Sequence, residues 1–392
     1  MIIKPADRLG GVKTYYFAIK LAEIDRINKE SPIKVINLGI GSPDLLPPQE
    51  SIDRLNAASK DRNAHQYQPY RSILSLRQAF AQWYQTHFEV KLQAETEILP
   101  LIGSKEGIMH ISMAFINPGD QVLIPDPGYP AYAAITELCQ GEIIKYPLTE
   151  EQNWWPDVKA LSRLDLSAVK MMWINYPHMP TGAKGDLTLL HELVDFAKKH
   201  KILLCHDNPY TFILNDKPLS IFQVDGAKDV ALELTSLSKN YNMSGWRIGS
   251  LAGRSDYIDT VLTFKSNMDS GMYKPIQEGA IEALQLDDSW FKSLNDIYAR
   301  RKKIAHRIMD SLRCTYDPES AGLFVWGKIP AQVENAEKLC DQILLDSKVF
   351  ITPGHIFGDM GNRYIRISLC ADEETLDQAL KRIEKIYKFQ EI

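Results

Sequence analysis

The feature that most constrains this chain is a rhythm in its middle, where short apolar runs alternate with amphipathic helical stretches. Gln121–Pro125 (QVLIP), Glu142–Tyr146 (EIIKY), Val169–Asn175 (VKMMWIN) and Ile202–His206 (ILLCH) are bounded by Pro, Gly, Asp or Asn. Each reads as a short buried strand, because a strand covered on both faces shows a continuous apolar run. Between them, Ser104–Ile116 and Leu187–His200 carry helical spacing. This alternation predicts an α/β domain with a mostly parallel sheet covered by helices on both sides. Further on the character changes. Asp288–Arg313 reads as a long charged helix, Leu323–Lys328, Phe350–Ile351 and Tyr364–Ser368 as strands, and Glu373–Phe389 as a closing helix. That predicts a smaller α+β unit from about residue 290, with the first 45 or so residues packing on it or on a partner chain.

The chain has 392 residues, enough for two or three domains at roughly 150 residues each. Hydrophobic residues at 45% and charged residues at 24% supply a core and exclude disorder as the main state. A net charge of −5 without a Lys/Arg block leaves no electrostatic footprint for nucleic acid or for a membrane surface. Cys139, Cys205, Cys314, Cys340 and Cys370 are scattered, with no CxxC pair. That argues against a disulfide framework and a zinc cluster, and no metal is expected. No apolar run reaches roughly 18 residues, and the start, MIIKPADRLGGVKTYYFAIK, holds no signal-peptide core. A cytoplasmic enzyme is the expectation.

Five stretches carry possible chemistry, and each also has an ordinary reading. In Ser236–Gly249 (SLSKNYNMSGWRIG), Lys239 sits among hydroxyls, with Arg247 eight residues on. A lysine whose pKa is lowered by desolvation or by a neighbouring cation forms Schiff bases. Ser236, Ser238 and Arg247 suit a phosphate dianion. The ordinary reading is a surface Lys and Arg around a turn. Asp207-Asn208-Pro209-Tyr210 follows the run Ile202–His206, where ligands bind at the carboxyl ends of parallel strands. It also reads as a simple D-N-P turn. Gly103-Ser104-Lys105-Glu106-Gly107 follows Ile98–Ile102 and opens a helix, which binds phosphate or is merely capped. Tyr129, in Asp126–Tyr132 (DPGYPAY), suits stacking on a flat ring or a half-buried turn position. Arg366, in Tyr364–Leu369 (YIRISL), suits bidentate capture of a carboxylate or plain exposure on a strand.

Taken together, these residues resemble the class I/II aminotransferases, the fold type I pyridoxal 5′-phosphate (PLP) enzymes. NLGIGSPD (37–44), YQPYRSILSLR (67–77), the PGYP turn, PTGA (180–183), DNPY, SLSKNYNMSGWRIG and YIRIS stand in the family's order over most of the chain. The resemblance implies a large domain with a mostly parallel seven-stranded sheet between helices and a smaller α+β domain. In this chain it implies an arm at 1–45, a PLP-binding domain at 46–290 and a small domain at 291–392. It implies ping-pong amino transfer between an L-amino acid and a 2-oxo acid, with Lys239 as Schiff-base lysine and proton shuttle. Asp207 resembles the partner of the pyridinium nitrogen, whose charge keeps the ring an electron sink. Tyr210 resembles the donor to O3′, and Tyr129 the stacking ring. Ser104, Lys105, Ser236, Ser238 and Arg247 resemble the phosphate cradle. Tyr67 resembles the tyrosine that reaches the neighbouring subunit's phosphate, which implies a homodimer with sites at the interface. Arg366, aided by the Gly41 backbone, resembles the clamp on the substrate α-carboxylate.

Two departures matter. The family usually reads Asn-Pro-Thr-Gly where this chain has Met179-Pro180-Thr181-Gly182, and a thioether cannot donate to O3′. Tyr210 is then left alone at O3′, or is helped by Asn175 or His178, and the cofactor Schiff base is expected to titrate higher than is usual in the family. Ser72 replaces a common glycine in the Tyr67 segment, so a different loop is expected there. GSKEG and Lys265–Gln277 (KSNMDSGMYKPIQ) look most like the branch with the LL-diaminopimelate aminotransferases and their aspartate-, alanine- or methionine-using relatives. Lys105 and Glu106 suit different distal groups, so the substrate stays open. Rival readings are a PLP β-elimination lyase or decarboxylase on the same fold, and a binding protein that kept the fold without turnover. A Rossmann dehydrogenase lacks its GxGxxG signature here.

Overall fold

The computed structural model describes residues 2–11 and 16–387. Its centre is a seven-stranded sheet of β1 (Ile98–Leu101), β2 (Gln121–Asp126), β3 (Glu142–Pro147), β4 (Val169–Ile174), β5 (Leu203–Asp207), β6 (Ala231–Ser236) and β7 (Gly249–Gly253). The spatial order is β1-β7-β6-β5-β4-β2-β3. The inner pairs are parallel, and only β7 runs against its neighbours β1 and β6.

Residue parity assigns each side chain to a face. Val122, Ile124, Met171, Trp173, Leu203 and Cys205 join the core on one side. Leu123, Met172, Ile174 and Leu204 join the core on the other. Both faces are dry over β2, β4 and β5, which is why these strands read as apolar runs, whereas β3, expected to be buried, is an edge strand with Glu142 and Lys145 exposed. The helix Leu187–His200 shows how the cover forms. The Asp186 side chain accepts from the Leu189 N–H and caps its start. Leu189, Leu190, Leu193, Val194, Phe196 and Ala197 turn inward, and Lys198, Lys199 and His200 meet the negative end of the helix dipole. Strand β7 (GSLAG) is built of small residues for a steric reason. A Cβ on Gly249 would lie 2.6 Å from the Thr235 carbonyl oxygen, and one on Gly253 would lie 2.5 Å from the Leu232 side chain.

A second sheet follows, formed by β8 (Thr315–Tyr316), β9 (Phe324–Lys328), β10 (Thr352–Pro353) and β11 (Tyr364–Ser368), antiparallel in the order β10-β11-β9-β8. The expected strand Phe350–Ile351 is two short strands instead. Val349–Phe350 pairs in parallel with Ile36–Asn37, and the chain then enters β10 in the other sheet. The helix Tyr16–Glu30 lies nearby, with Ile24 packed on Leu344 and Phe350 and Lys20 paired with Asp341 at 2.7 Å. The helix Asp288–Ser311 joins the two sheet systems: Phe291 belongs to the core around Trp83 and Tyr241, while Tyr298, Ala305 and Met309 belong to the core under β9 and β11. The closing helix is described over Glu373–Tyr387, and the expected Lys388 and Phe389 lie outside the described residues. No helix among the described residues is long and apolar enough to cross a membrane.

Candidate active site

The carboxyl ends of β2, β4, β5 and β6 open into one cavity of about 480 Å³, walled on its far side by β9, β11 and the helix Tyr16–Glu30. In a doubly wound sheet this edge is where ligands gather. Ser104, Lys105, Tyr129, Asn175, Asp207, Tyr210, Ser236, Ser238, Lys239, Arg247, Arg366 and Gly41 all line it. Of the expected site residues, Tyr67 alone is not among them; it lies on the surface, 90% exposed. Ser72 keeps a left-handed backbone, φ 66°, in that same segment despite its side chain.

One end of the cavity is a nest of donors. The helix Ser104–Phe115 starts there, and its first N–H groups have no partner within the helix. Ser236 caps the short helix Leu237–Asn240, its hydroxyl accepting from the Ser238 N–H at 3.2 Å. Arg247, itself left-handed at φ 55°, donates to the Ser244 carbonyl at 2.9 Å and reaches the Ser238 hydroxyl at 3.4 Å. Gly103 makes room for it: a Cβ there would stand 2.1 Å from an Arg247 guanidinium nitrogen.

The middle of the cavity holds the titratable groups. Asp207 is buried, and the Tyr132 hydroxyl donates to its Oδ2 at 2.8 Å. Tyr132 is held by stacking on Trp173 at 4.9 Å. The other oxygen, Oδ1, is buried without a hydrogen-bond partner. Burial pushes the Asp207 carboxyl up to about 6, against the lowering effects of Tyr132 and His206. Asn175 spans two backbones, its Nδ2 donating to the Asp207 carbonyl at 2.5 Å and its Oδ1 accepting from the Met179 N–H at 2.7 Å. Lys239 Nζ donates to the Gly41 carbonyl at 2.6 Å. Burial lowers its pKa, Cys370 opposes this, and the like charges of Arg366 and Arg247 add to it. Burial raises the Tyr210 phenol, so it stays a donor. His178 does not line the cavity; it pairs with Thr181 at 2.8 Å, and burial holds it neutral with its pKa down at about 3.

The other end is a caged cation. Arg366 is buried on β11, so the exposed-strand reading falls. Its guanidinium carbon lies 3.9 Å from the Phe324 ring centre, 4.5 Å from Phe357 and 5.6 Å from Phe17. It donates to the Gly39 carbonyl at 2.7 Å and touches Met179 Sδ at 3.3 Å. Sequence reasoning missed Tyr132 and the aromatic cage. The DPGYPAY motif contained Tyr132, but nothing local marked its partner. Elsewhere, Glu106, His110 and Asp269 bring ligand-type atoms within 4.8 Å of one another, but Lys265 Nζ already supplies the cation, 2.6 Å from Asp269.

The cavity suits a pyridoxal phosphate. A phosphate fits the donor nest, a protonated ring nitrogen fits the orphaned Asp207 Oδ1, and an aldehyde carbon needs a buried amine such as Lys239. The comparisons agree. A family model described as aminotransferase class I and II matches residues 33–383. The LL-diaminopimelate aminotransferase of Maridesulfovibrio salexigens is 39% identical over 98% of this chain and 99% of its own. The substrate-bound structure of BacF from Bacillus subtilis superposes with a TM-score of 0.93 at 33% identity, covering 99% of this chain and 98% of that one. A mutant aspartate aminotransferase of Thermus thermophilus, at 21% identity and a TM-score of 0.90 over 98% of this chain and 99% of that one, shares the fold.

Proposed function

The chain belongs to the class I and II aminotransferases, PLP-dependent enzymes that move an amino group between an amino acid and a 2-oxo acid, and from that premise we propose how its residues divide the work and which substrate it takes. The observation that carries the division is a buried amine, Lys239, set between a donor nest and a caged arginine. Bound PLP supplies a conjugated ring that accepts the electron pair released at the substrate Cα. Ser104, Lys105, Ser236, Ser238 and Arg247 hold its phosphate. Asp207 Oδ1 accepts from the ring nitrogen, Tyr129 stacks on the ring, and Tyr210 donates to the ring hydroxyl oxygen, with Asn175 beside it. Arg366 takes the substrate α-carboxylate through two parallel N–H bonds, with the Gly41 backbone alongside. Fixing both ends would orient the Cα–H bond toward Lys239 Nζ, which would take that proton and hold it for return. Its lowered pKa leaves a larger neutral fraction for this task.

The donor we assign is LL-diaminopimelate, supported by the 39% identity to an enzyme of that name over nearly the full length. We assign residues 46–290 to the cofactor domain and 291–392 to the small domain, and the cytoplasm as the compartment, in keeping with five free cysteines. We also propose a homodimer. Tyr67, Tyr70, Met268 and Tyr273 are exposed on two segments that meet where Gly271 packs on the Gln68 carbonyl. Such a patch suits a second copy, with Tyr67 reaching the partner's phosphate.

The test is absorption. The PLP-loaded protein should lose its visible band on addition of LL-diaminopimelate and release a 2-oxo acid without free ammonia. Lys239→Ala should not carry the band at all. Bleaching by other amino acids but not by LL-diaminopimelate would overturn the substrate. Ammonia or CO₂ release in place of stoichiometric transfer would overturn the half-reaction assigned to these residues. Sedimentation giving a monomer would overturn the dimer.

A further inference from the structure

Behind Asp207, on the opposite face of the sheet, lies a buried ionic group that amino transfer as described does not use. His206 and Glu233 face each other across β5 and β6 and are each about 1% exposed. His206 Nε2 is 3.1 Å from the Tyr176 carbonyl oxygen, which can only accept, so Nε2 carries a proton. His206 Nδ1 is 2.8 Å from Glu233 Oε2. Glu233 is surrounded by donors: the Ile221 N–H reaches Oε2 at 2.9 Å, and the Ser220 hydroxyl reaches Oε1 at 2.8 Å. The Ser220 hydroxyl accepts from the Phe222 N–H, so its own proton points to Glu233. Donors on both oxygens favour the anionic carboxylate, which suits a proton on Nδ1 in the short contact and a doubly protonated imidazolium at His206.

Two features link this cation to the site. His206 is the residue before Asp207, whereas Glu233 is one strand further off, so the positive end of the pair is the nearer one. The Tyr176 carbonyl held by His206 follows Asn175, whose side-chain amide holds the Asp207 carbonyl. We infer that His206 is a positioning residue of the reaction: its imidazolium, fixed by Glu233, ties together the ends of β4 and β5 and keeps the Asp207 carboxylate ionised toward the ring nitrogen. This rests on the assignment of Asp207 to that nitrogen. It goes beyond it in naming what keeps a carboxylate charged in a dry wall, beside the Tyr132 hydroxyl that donates to it. The electrostatic effect of His206 on Asp207 has the same sign, lowering its proton affinity.

A pair that only stabilises the fold predicts no change in the cofactor. The test is therefore the ¹⁵N chemical shift of ring-labelled PLP in the holoenzyme, together with kinetics. Glu233→Gln keeps the shape, can donate to Nδ1 and leaves His206 neutral. The labelled nitrogen should then move from the pyridinium toward the neutral position, its proton affinity falling by roughly one pH unit. kcat should fall by roughly tenfold with KM little changed, because ring protonation matters to the Cα step and not to clamping. His206→Gln, which can still donate to the Tyr176 carbonyl, should behave alike. A wild-type pyridinium shift and wild-type kcat in both variants, with Asp207→Asn showing the neutral shift, would overturn the role of His206 and leave that of Asp207 standing. A pyridinium shift retained in Asp207→Asn would overturn both. If neither variant folds, ¹⁵N-histidine spectra of the wild-type holoenzyme decide. Two protonated ring nitrogens on His206 at pH 8 support the inference, and a neutral ring ends it.

Discussion

The two ends of the cavity, proposed above to take a phosphate and a carboxylate, are built by different means. The phosphate end is made by one body of the fold: the start of the helix Ser104–Phe115, the turn after β6, and Arg247 just before β7. Its donors are short side chains and backbone N–H groups locked by caps and turns. The carboxylate end is assembled across the chain. Arg366 on β11 bonds Gly39 and is surrounded by Phe324, Phe357 and Phe17. There a single charge works in an apolar cage, where it is worth more than in water. The first arrangement suits a group that stays, held by many contacts of which each is dispensable. The second suits a group that must come and go, held by one contact that decides.

That contrast can be broken from either side. The largest effect belongs to Arg366→Ala. Removing one partner of a buried, bidentate charge pair costs about 2–5 kcal/mol. The amino-acid half-reaction should slow by roughly a thousandfold in kcat/KM while the visible band and PLP affinity persist. Loss of bound PLP in this variant would mean that the two ends are not independent. Next is Asp207→Asn, on the wall between them. The folded carboxyl, raised from 3.8 to about 6, holds its proton more tightly than in the unfolded chain. The cofactor-free protein therefore loses stability as pH rises through that window, by about 3 kcal/mol once above it. Asparagine removes the penalty. Cofactor-free Asp207→Asn should melt higher than wild type at pH 8 and alike at pH 4, and should gain less from added PLP. Equal melting at pH 8 would count against a raised Asp207.

A smaller effect tests the donor nest. Gly103→Ala puts a Cβ at 2.1 Å from Arg247 on a backbone with φ +84°. Strain of about 1–3 kcal/mol should weaken PLP by roughly tenfold to a hundredfold, measured by equilibrium dialysis. With PLP saturating, kcat/KM for the amino acid should stay near wild type, the reverse of Arg366→Ala. A parallel fall in both would erase the distinction.

The difference between the ends also explains what the sequence disclosed. The phosphate end is written locally: Gly103 to Gly107 and Ser236 to Gly249 are continuous motifs, and their side chains meet because each follows a strand of one sheet. The carboxylate end is not. Arg366 is visible in YIRIS, but its cage comes from residues 17, 324 and 357, and no local pattern pairs them. Tyr132 with Asp207 and His206 with Glu233 are hidden for the same reason, lying 75 and 27 residues apart. The parallel strand β6 escaped notice because Glu233, Thr235 and Ser236 break its run, whereas β2, β4 and β5 were legible because burial on both faces makes them mostly apolar. Strand β7 was not, since close approach to Thr235 and Leu232 forces glycine and alanine where a strand normally shows branched residues. The run VFITP exposes a further limit: an apolar run declares a strand but not which sheet receives it, and here it serves both.

The smallest prediction concerns Met179, which touches the cage and stands where the family's asparagine was expected. Its sulfur lies 3.3 Å from Arg366 Nη1, while its backbone N–H is held by Asn175. A thioether accepts weakly and donates nothing. It therefore competes little with an arriving carboxylate for the guanidinium, and offers no donor to a ring hydroxyl oxygen. Met179→Asn restores an amide on a shorter side chain. An amide N–H favours the deprotonated form of the chromophore, so the pH midpoint of the visible band should fall by about one unit or less. Its oxygen competes for Arg366, so KM for the amino acid should rise severalfold, a cost of about 1 kcal/mol. A midpoint that falls with KM unchanged would put Met179 with the ring and not with the cage. A midpoint that stays put while KM rises would make it part of the carboxylate end, with Tyr210 sufficient at the ring oxygen.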